Sequence, residues 1–593
     1  MSNTSMNKWN LKEYYQSVKD KQIDEDFEIV KQQNEKFIKK WKNRKDYLEN
    51  PEILKLALDE YEKLESDYGV SGKPGYYLGL KSYLDQDDLE TKAKLNSIHR
   101  QAIKLLNEIE FFELRLSKVS STNQKIFLES NKLKDYKHFL ENLFKNAKYL
   151  LSEPEEKIMN IKSKTSHSNW VSMVSRFLSK EERKVLDEDG KVKIKNFGQI
   201  IGLMNSQQQK VRDSAAQAFH KINTDYAEVA ENELNSIFEN KQNNDEIRGY
   251  DYPEQSRHLA DDIETEIVNT MVSTVTDNFQ IPQNYYKAKA KLMGKRKLKY
   301  HERNVPYGKN EKKYSFKEAA ELISDVFHGL DPEFGEIFEK LLNDSRIDVF
   351  PVKNKVSGAF CIHDIKTLPT HILLNYNKKL DDVKTLAHET GHAINNELMK
   401  KAQNSLNFSS PLSTAEVAST FFEDFVLEKL LESATKEQKL VISLDKLNDD
   451  VSSIFRQVAA YNFEKELHKS FRNEGYLGKS FIGNIFQKHM SSYMGKYVSQ
   501  DKGSENWWVY WSHFRRFFYV YSYASGLLIS KALQSMVRDD SDAIDLVKSV
   551  LAAGSSASPK DTFSSIGIDI SHKNFWKAGI DEVERRLNDL AVA

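Results

Sequence analysis

Residues 371–393 read HILLNYNKKLDDVKTLAHETGHA, and two periodicities meet inside them. HILLNYN is rich in β-branched and aromatic residues and broken by asparagines, the composition of a short strand. Beyond it the spacing becomes helical. Val383, Leu386, Ala387, Ile394 and Leu398 form one apolar stripe, and Asp381 or Asp382 can cap the start. RIDVFPV (346–352) and GAFCIHD (358–364) share the strand-like composition. The expectation is one small antiparallel sheet feeding a long helix.

Outward from there the chain reads as helix. Only 23 glycines and 11 prolines interrupt 593 residues, well below the usual ~7% and ~5%. The first ~190 residues repeat apolar positions at helical spacing, as in Ile103, Leu106, Ile109, Phe112 and Leu116. SGKPGYY (71–77) reads as a turn, and Pro154 in SEPEEKIM (152–159) as a helix start. The polar, glycine-containing step DEDGKVKIKNFGQI (187–200) suggests a boundary. That gives an N-terminal helical domain, 1–195, and a second domain, 196–593. The fold class expected is mainly α, with a small sheet beside the helix that carries the chemistry.

Lys+Arg 87 against Asp+Glu 88 leaves a net charge of -1, without the basic surplus of a nucleic-acid binder. No apolar run approaches the ~18 residues of a membrane span. MSNTSMNKWNLKEYY has no apolar leader core, so a cytoplasmic location is expected, with no membrane partner. The single cysteine, Cys361, excludes an intramolecular disulfide and reads as a buried structural residue.

His388, Glu389 and His392 form an HExxH pattern. Histidines at i and i+4 share one helical face, so both imidazoles can reach one Zn²⁺, and the glutamate beside them can reach its water. With 15 histidines, chance supplies roughly 0.03 such matches in a chain of this length. Gly391 is a poor helix residue, tolerable if another element passes close. A zinc site of this type needs a third protein ligand. Glu416, at the head of the helical stretch STAEVASTFFEDFVLEKLLE (413–432), is the candidate. Ser413-x-x-Glu416 also spells a capping box, the competing reading. Glu423, two turns on, can orient a ligand histidine. NWWVYWSHFRRFFYVYSYASG (506–526) carries His513, Tyr519, Tyr521 and Tyr523, all possible donors to a developing oxyanion. Its alternation reads locally as a strand, and its aromatics as a core cluster.

HETGHA, then AEVAST, then HF…FYVYSYASG closely resemble the oligoendopeptidase F family of zinc metallopeptidases, relatives of thimet oligopeptidase. LKDYKHFLENLFKNAKYLLSEPEEKIM (133–159) and YYKAKAKLMGKRKLKYHERNVPYG (285–308) extend the resemblance through most of the chain. It implies a mainly helical ellipsoid with a deep substrate channel. By matching positions it makes His388, His392 and Glu416 the ligands of one zinc ion and Glu389 the general base. His513, Tyr519 and Tyr523 become substrate and transition-state donors, with helix rather than strand around Tyr519–Tyr523. Phe422 departs from the family pattern, which often has Asn there, and the Ser357–His363 strand lacks the family's Gly-rich look.

The function expected is zinc-dependent hydrolysis of internal bonds in oligopeptides, by a monomer or homodimer. The substrate strand would pair with a sheet edge, either Ser357–His363 or His371–Asn375. A zinc carboxypeptidase on a related fold is the alternative. It would need a cation for the free C-terminal carboxylate, for which Arg515 and Arg516 are conceivable. A non-catalytic helical binding protein is the third reading.

Overall fold

Helices run long where nothing ends them. Gln209–Arg248 spans 40 residues without glycine or proline and stops at Gly249, whose φ of 75° closes the last turn. The computed structural model describes residues 7–308 and 312–592; residues 1–6, on which part of the leader reading rests, lie outside them. Pro154 does open a helix, Glu153–Ser163, behind a Ser152/Glu155 capping box. SGKPGYY is not a turn: Gly72, Lys73 and Pro74 form the first turn of the helix Gly72–Leu84, a position that tolerates proline.

The polar step near 190 contains a hairpin the sequence did not announce. Strands β1 (Glu182–Leu186) and β2 (Val192–Asn196) pair antiparallel across a turn at Gly190. Of their ten residues only Val185 is buried, so no alternating apolar face marks them. Strand β3 (Leu298–Lys299) pairs parallel with the later β7 (Val498–Ser499). The expected sheet is present as β4 (Ile347–Asp348), β5 (Phe360–Ile362) and β6 (His371–Leu373). It is mixed, not antiparallel: β6 lies between the other two, parallel to β4 and antiparallel to β5. That order leaves β5 as an edge and removes His371–Leu373 as a place to add a strand.

One hydrophobic core extends from Val174 to Leu587, and the buried residues of a second run from Phe37 to Leu140, with Leu406 packed against them. A third joins N-terminal residues, including Trp9, Tyr14 and Tyr76, to Leu373 of β6. The Trp9 indole donates to the carbonyls of Arg346 and Ile372, each at 2.9 Å, and Tyr76 donates to Pro369 at 2.7 Å. The amino-terminal helices are thereby fastened to the sheet that precedes the HExxH helix. No helix among the described residues is long and apolar enough to cross a membrane.

Candidate metal centre and its donors

The motif helix runs Leu380–Ala402, and its expected stripe is buried. Neither aspartate is its N-cap. Asp382, in the first turn, accepts backbone N–H bonds from Lys379 at 2.7 Å and Asn377 at 2.9 Å, so it caps from inside. The ligand helix, Val417–Glu432, crosses it at Gly391. A Cβ there would stand 2.7 Å from Ser419 Cα and 2.9 Å from Ala418 O, so only glycine permits this approach. Glu416 immediately precedes the ligand helix. It does not act as half of a capping box: the buried Ser413 hydroxyl has no partner.

Glu416 turns instead toward the histidines. Its Oε2 lies 3.4 Å from His388 Nε2 and 3.6 Å from His392 Nε2, and accepts from Ser419 Oγ at 2.9 Å. The donor atoms of His388, His392 and Glu416 all fall within 4.8 Å of one another. Glu423 takes the other side of His388, with Oε2 3.2 Å from Nδ1. An Nδ1–H donated to Glu423 leaves the Nε2 lone pair facing His392 and Glu416. The three side chains are 27%, 24% and 37% exposed, so water reaches the group they form.

The electrostatics of this group favour a cation. Burial opposes charge on His388, but hydrogen bonds to Glu416 and Glu423 raise it to about 10. Burial and the neighbouring His388 lower His392 to about 4. Against the cost of burial, His388 and His392 hold Glu416 at about 2, while Lys446 and His388 hold Glu423 there. One positive charge is therefore wanted between two carboxylates and a second imidazole. Two imidazole nitrogens and a carboxylate oxygen are a donor set that suits Zn²⁺. Glu389, buried beside them, is raised to about 7 by burial, aided by Glu416 and opposed by His388 and by a hydrogen bond from the Cys361 main chain.

His513, Tyr519 and Tyr523 also come together. His513 Nε2 is 3.1 Å from the Tyr523 hydroxyl, and the Tyr519 and Tyr523 ring centroids are 5.6 Å apart. This segment is no strand. Short 3₁₀ turns at Ser504–Val509 and Ser512–Arg515 lead into a donor helix, Tyr521–Asp539, with Tyr519 just before it. Phe517 and Phe518, at φ 48° and 54°, make the bend, and Glu464 accepts the Phe518 N–H at 2.8 Å. Two successive bulky residues with positive φ are costly and persist only where surrounding contacts hold them. Gly526 seats this helix against the candidate metal centre: a Cβ there would lie 2.9 Å from Glu416 Cβ.

Sequence reasoning missed Trp511. Its indole donates to His513 Nδ1 at 3.1 Å, so that nitrogen accepts and the proton resides on Nε2. Burial, Arg516 and Arg456 all lower the His513 pKa, keeping it a neutral donor toward Tyr523. Lys446 was also missed. Fully buried, it contacts Glu423 at 3.7 Å and Asp424 at 2.6 Å, within a cluster that includes Asp450, Lys531 and Arg586. No motif signals either residue, because each touches a candidate site residue rather than belonging to the His388, His392 and Glu416 group.

Other expectations fall away from the site. The Tyr521 hydroxyl donates to buried Asp261 at 2.6 Å. Phe422 faces the core between Phe327 and Phe334, so its departure from the family pattern leaves the His388, His392 and Glu416 group untouched. Arg515 is buried and bonded to Glu233 at 2.7 Å, which removes it as a substrate anchor. A second group of possible ligands, Asp213, His301 and Glu302, already holds Lys299, Lys295 and Arg212 as its cations.

Residues 202–582 match the family described as Peptidase family M3, and residues 116–174 match Oligopeptidase F. An oligoendopeptidase F homolog of Borreliella burgdorferi is 25% identical, over 90% of this chain and 92% of its own length. Group B oligopeptidase PepB of Streptococcus agalactiae is also 25% identical, over 91% and 89%. A crystal structure from Chlamydophila abortus shares the fold, with TM-score 0.86 at 21% identity over 99% of this chain and 98% of that one. Oligoendopeptidase-F from Enterococcus faecium follows at 0.71, with 18% identity over 96% and 98%. The M3 match spans the motif helix, Glu416 and the donor helix alike, and the chain belongs to peptidase family M3, as an oligopeptidase of the oligoendopeptidase F kind.

Proposed function

We propose that the protein is a zinc-dependent endopeptidase that cuts internal bonds of short peptides. The observation that carries this reading is the convergence of His388, His392 and Glu416, with buried Glu389 alongside. One Zn²⁺ per chain, held by those three, supplies Lewis acidity toward the scissile carbonyl and acidity to water. Glu389 takes the proton of the attacking water and passes it to the leaving amine. Glu423, kept ionised by Lys446 and His388, fixes the orientation of His388. Tyr523 keeps its proton, since burial and Tyr519 raise it to about 12, and donates it as a hydrogen bond to the oxyanion. His513 Nε2–H, fixed by Trp511, donates to Tyr523 and Tyr519 packs against both.

The outer edge of β5, whose Cys361 main chain faces Glu389, is the place for an extended substrate to pair. Main-chain pairing suits broad specificity. We further assign residues 1–195 to one wall of a substrate channel and 196–593 to the catalytic part. The fastening of Trp9 and Tyr76 to β6 supports that arrangement.

A mixed set of oligopeptides, half C-terminally amidated, tests the reading by mass spectrometry, with a zinc chelator in a parallel sample. Chelator-sensitive internal cuts in both sets are expected. Release of single C-terminal residues from free peptides alone would establish the carboxypeptidase instead. Tyr523→Phe should cost roughly 10²–10³ in kcat with little change in KM. Equal losses in Tyr521→Phe would mean the effect is one of packing.

A further inference from the structure

The hydrolytic steps above make no use of Glu464, yet this buried carboxyl touches the backbone that aims the tyrosines. The bend before Tyr519 is made by Phe517 and Phe518, at φ 48° and 54°, a left-handed conformation that glycine adopts freely and phenylalanine does not. The helix Arg456–Glu474 faces this bend with Tyr461, Glu464 and His468, which share one face. The Tyr461 ring lies 5.7 Å from that of Phe518, centre to centre. The His468 ring lies 5.4 Å from Phe517 and 4.9 Å from Phe518. Between these two rings Glu464, fully buried, accepts the Phe518 N–H at 2.8 Å. Its Oε2 is buried and has no hydrogen-bond partner, and no cation among the described residues is in ion-pair contact with it. Burial pushes Glu464 up to about 8, with Glu254 adding to the rise and the Phe518 N–H, Arg257 and Lys241 opposing it. Near neutral pH it therefore holds the bend as the neutral acid, with its carbonyl oxygen accepting. Upstream of the bend, His167 Nε2 donates to the Arg515 carbonyl at 2.8 Å, and the Arg515 side chain is tied to Glu233 at 2.7 Å. The segment is thus pinned at Arg515 and at Phe518, and Tyr519 follows the second pin directly.

We propose that Glu464 is a positioning residue for the reaction: by holding Phe518 in its left-handed conformation, it aims Tyr519 and, four residues on, Tyr523 at His513. The inference rests on the peptidase reading above and adds to it the origin of the donor geometry. Strained backbone persists only where its surroundings over-determine it. Here two rings supply bulk on either side, and Glu464 supplies the one directional contact from this helix. Without that acceptor the Phe518 N–H is left buried and unpaired, and the bend loses the bond that fixes its direction.

The test uses the zinc-loaded full-length enzyme with Glu464→Gln, Glu464→Met, Tyr523→Phe, and Glu464→Met combined with Tyr523→Phe. Glutamine keeps an acceptor for the Phe518 N–H, while methionine keeps the length of the side chain and removes both oxygens. For one internally cut peptide, kcat and KM are read beside zinc per chain and melting temperature. Glu464→Met should lose about 10–100-fold in kcat, the scale of a misplaced donor, with KM and zinc content nearly unchanged. Glu464→Gln should keep kcat within about threefold of the wild type, since the hydrogen bond is retained. On Tyr523→Phe the methionine change should cost less than about twofold, because the hydroxyl it misplaces is already gone. A methionine variant as active as the wild type, a glutamine variant as impaired as methionine, or an undiminished loss on Tyr523→Phe would each overturn the role. So would parallel loss of zinc or of cooperative melting in Glu464→Met, which marks a general structural residue. All of these outcomes leave the endopeptidase standing; no cleavage by the wild type would overturn the peptidase reading itself.

Discussion

Glu389→Gln should keep its zinc and lose peptide hydrolysis by roughly 10²–10⁴-fold, the range of a positioned general base. The amide has the shape of the carboxylate it replaces and can still accept from the Cys361 main chain, so the fold and the three metal ligands are undisturbed. It cannot take a proton. The pH dependence separates this role from a structural one. Burial raises Glu389 to about 7 in the metal-free protein, so its base form is lost as pH falls through that value. The field of a bound cation moves this downward, placing the acid limb of kcat/KM below 7, and the limb should vanish in the variant. Stability shifts with the opposite sense. A carboxylate raised in the folded state costs stability as pH climbs from about 4.5 to 7, so the metal-free variant should be the more stable protein at pH 8 and equal at pH 4. Normal hydrolysis by Glu389→Gln, read beside zinc content and thermal melting, would remove the residue from the mechanism.

Glu416→Ala should be recovered largely without zinc. Removing a residue that merely orients a ligand costs about 10–100-fold in metal affinity, and removing a ligand costs more. The variant also leaves two imidazoles facing each other with the main counter-charge on their shared side gone, so His388 and His392 no longer converge on a common anion. The competing role was half of a capping box, whose loss costs about 1 kcal/mol of stability and nothing in metal content. Zinc measured per chain after dialysis, together with melting temperature, distinguishes the two. Full zinc with a lowered melting temperature would return Glu416 to the capping role that the unpartnered Ser413 hydroxyl argues against.

Legibility in the sequence followed the physics of each feature. The motif helix was readable because its ligands and its buried stripe are spaced by one local period. Glu416 was reachable because a short connection returns the chain against that helix. The hairpin at Glu182–Asn196 was not, since its strands bury almost nothing. The mixed sheet was hidden because strand direction is set by what lies between the strands. The stretch around Tyr519 misled a local reading: two positive-φ phenylalanines bend the chain there, and Glu464, far earlier in sequence, holds the bend. Trp511 and Lys446 escaped notice because a residue that orients another has no spacing of its own. Arg515 and Arg516 looked interchangeable as letters, yet one is saturated by Glu233 and the other is open.

The close contacts at Gly391 and Gly526 bear on how kinship is recognised. The ligand geometry is specified twice, once by side chains that donate electrons and once by two positions that carry no side chain at all. Even a methyl group at Gly391 would meet the backbone of Ser419, a neighbour that cannot rotate aside, and would lever His392 away from Glu416. A distant sequence that kept every histidine and glutamate but filled these two positions would spell the motif and lack the site. In drifted or damaged copies of this gene, the glycines are therefore as informative a mark of a working enzyme as the proposed metal ligands.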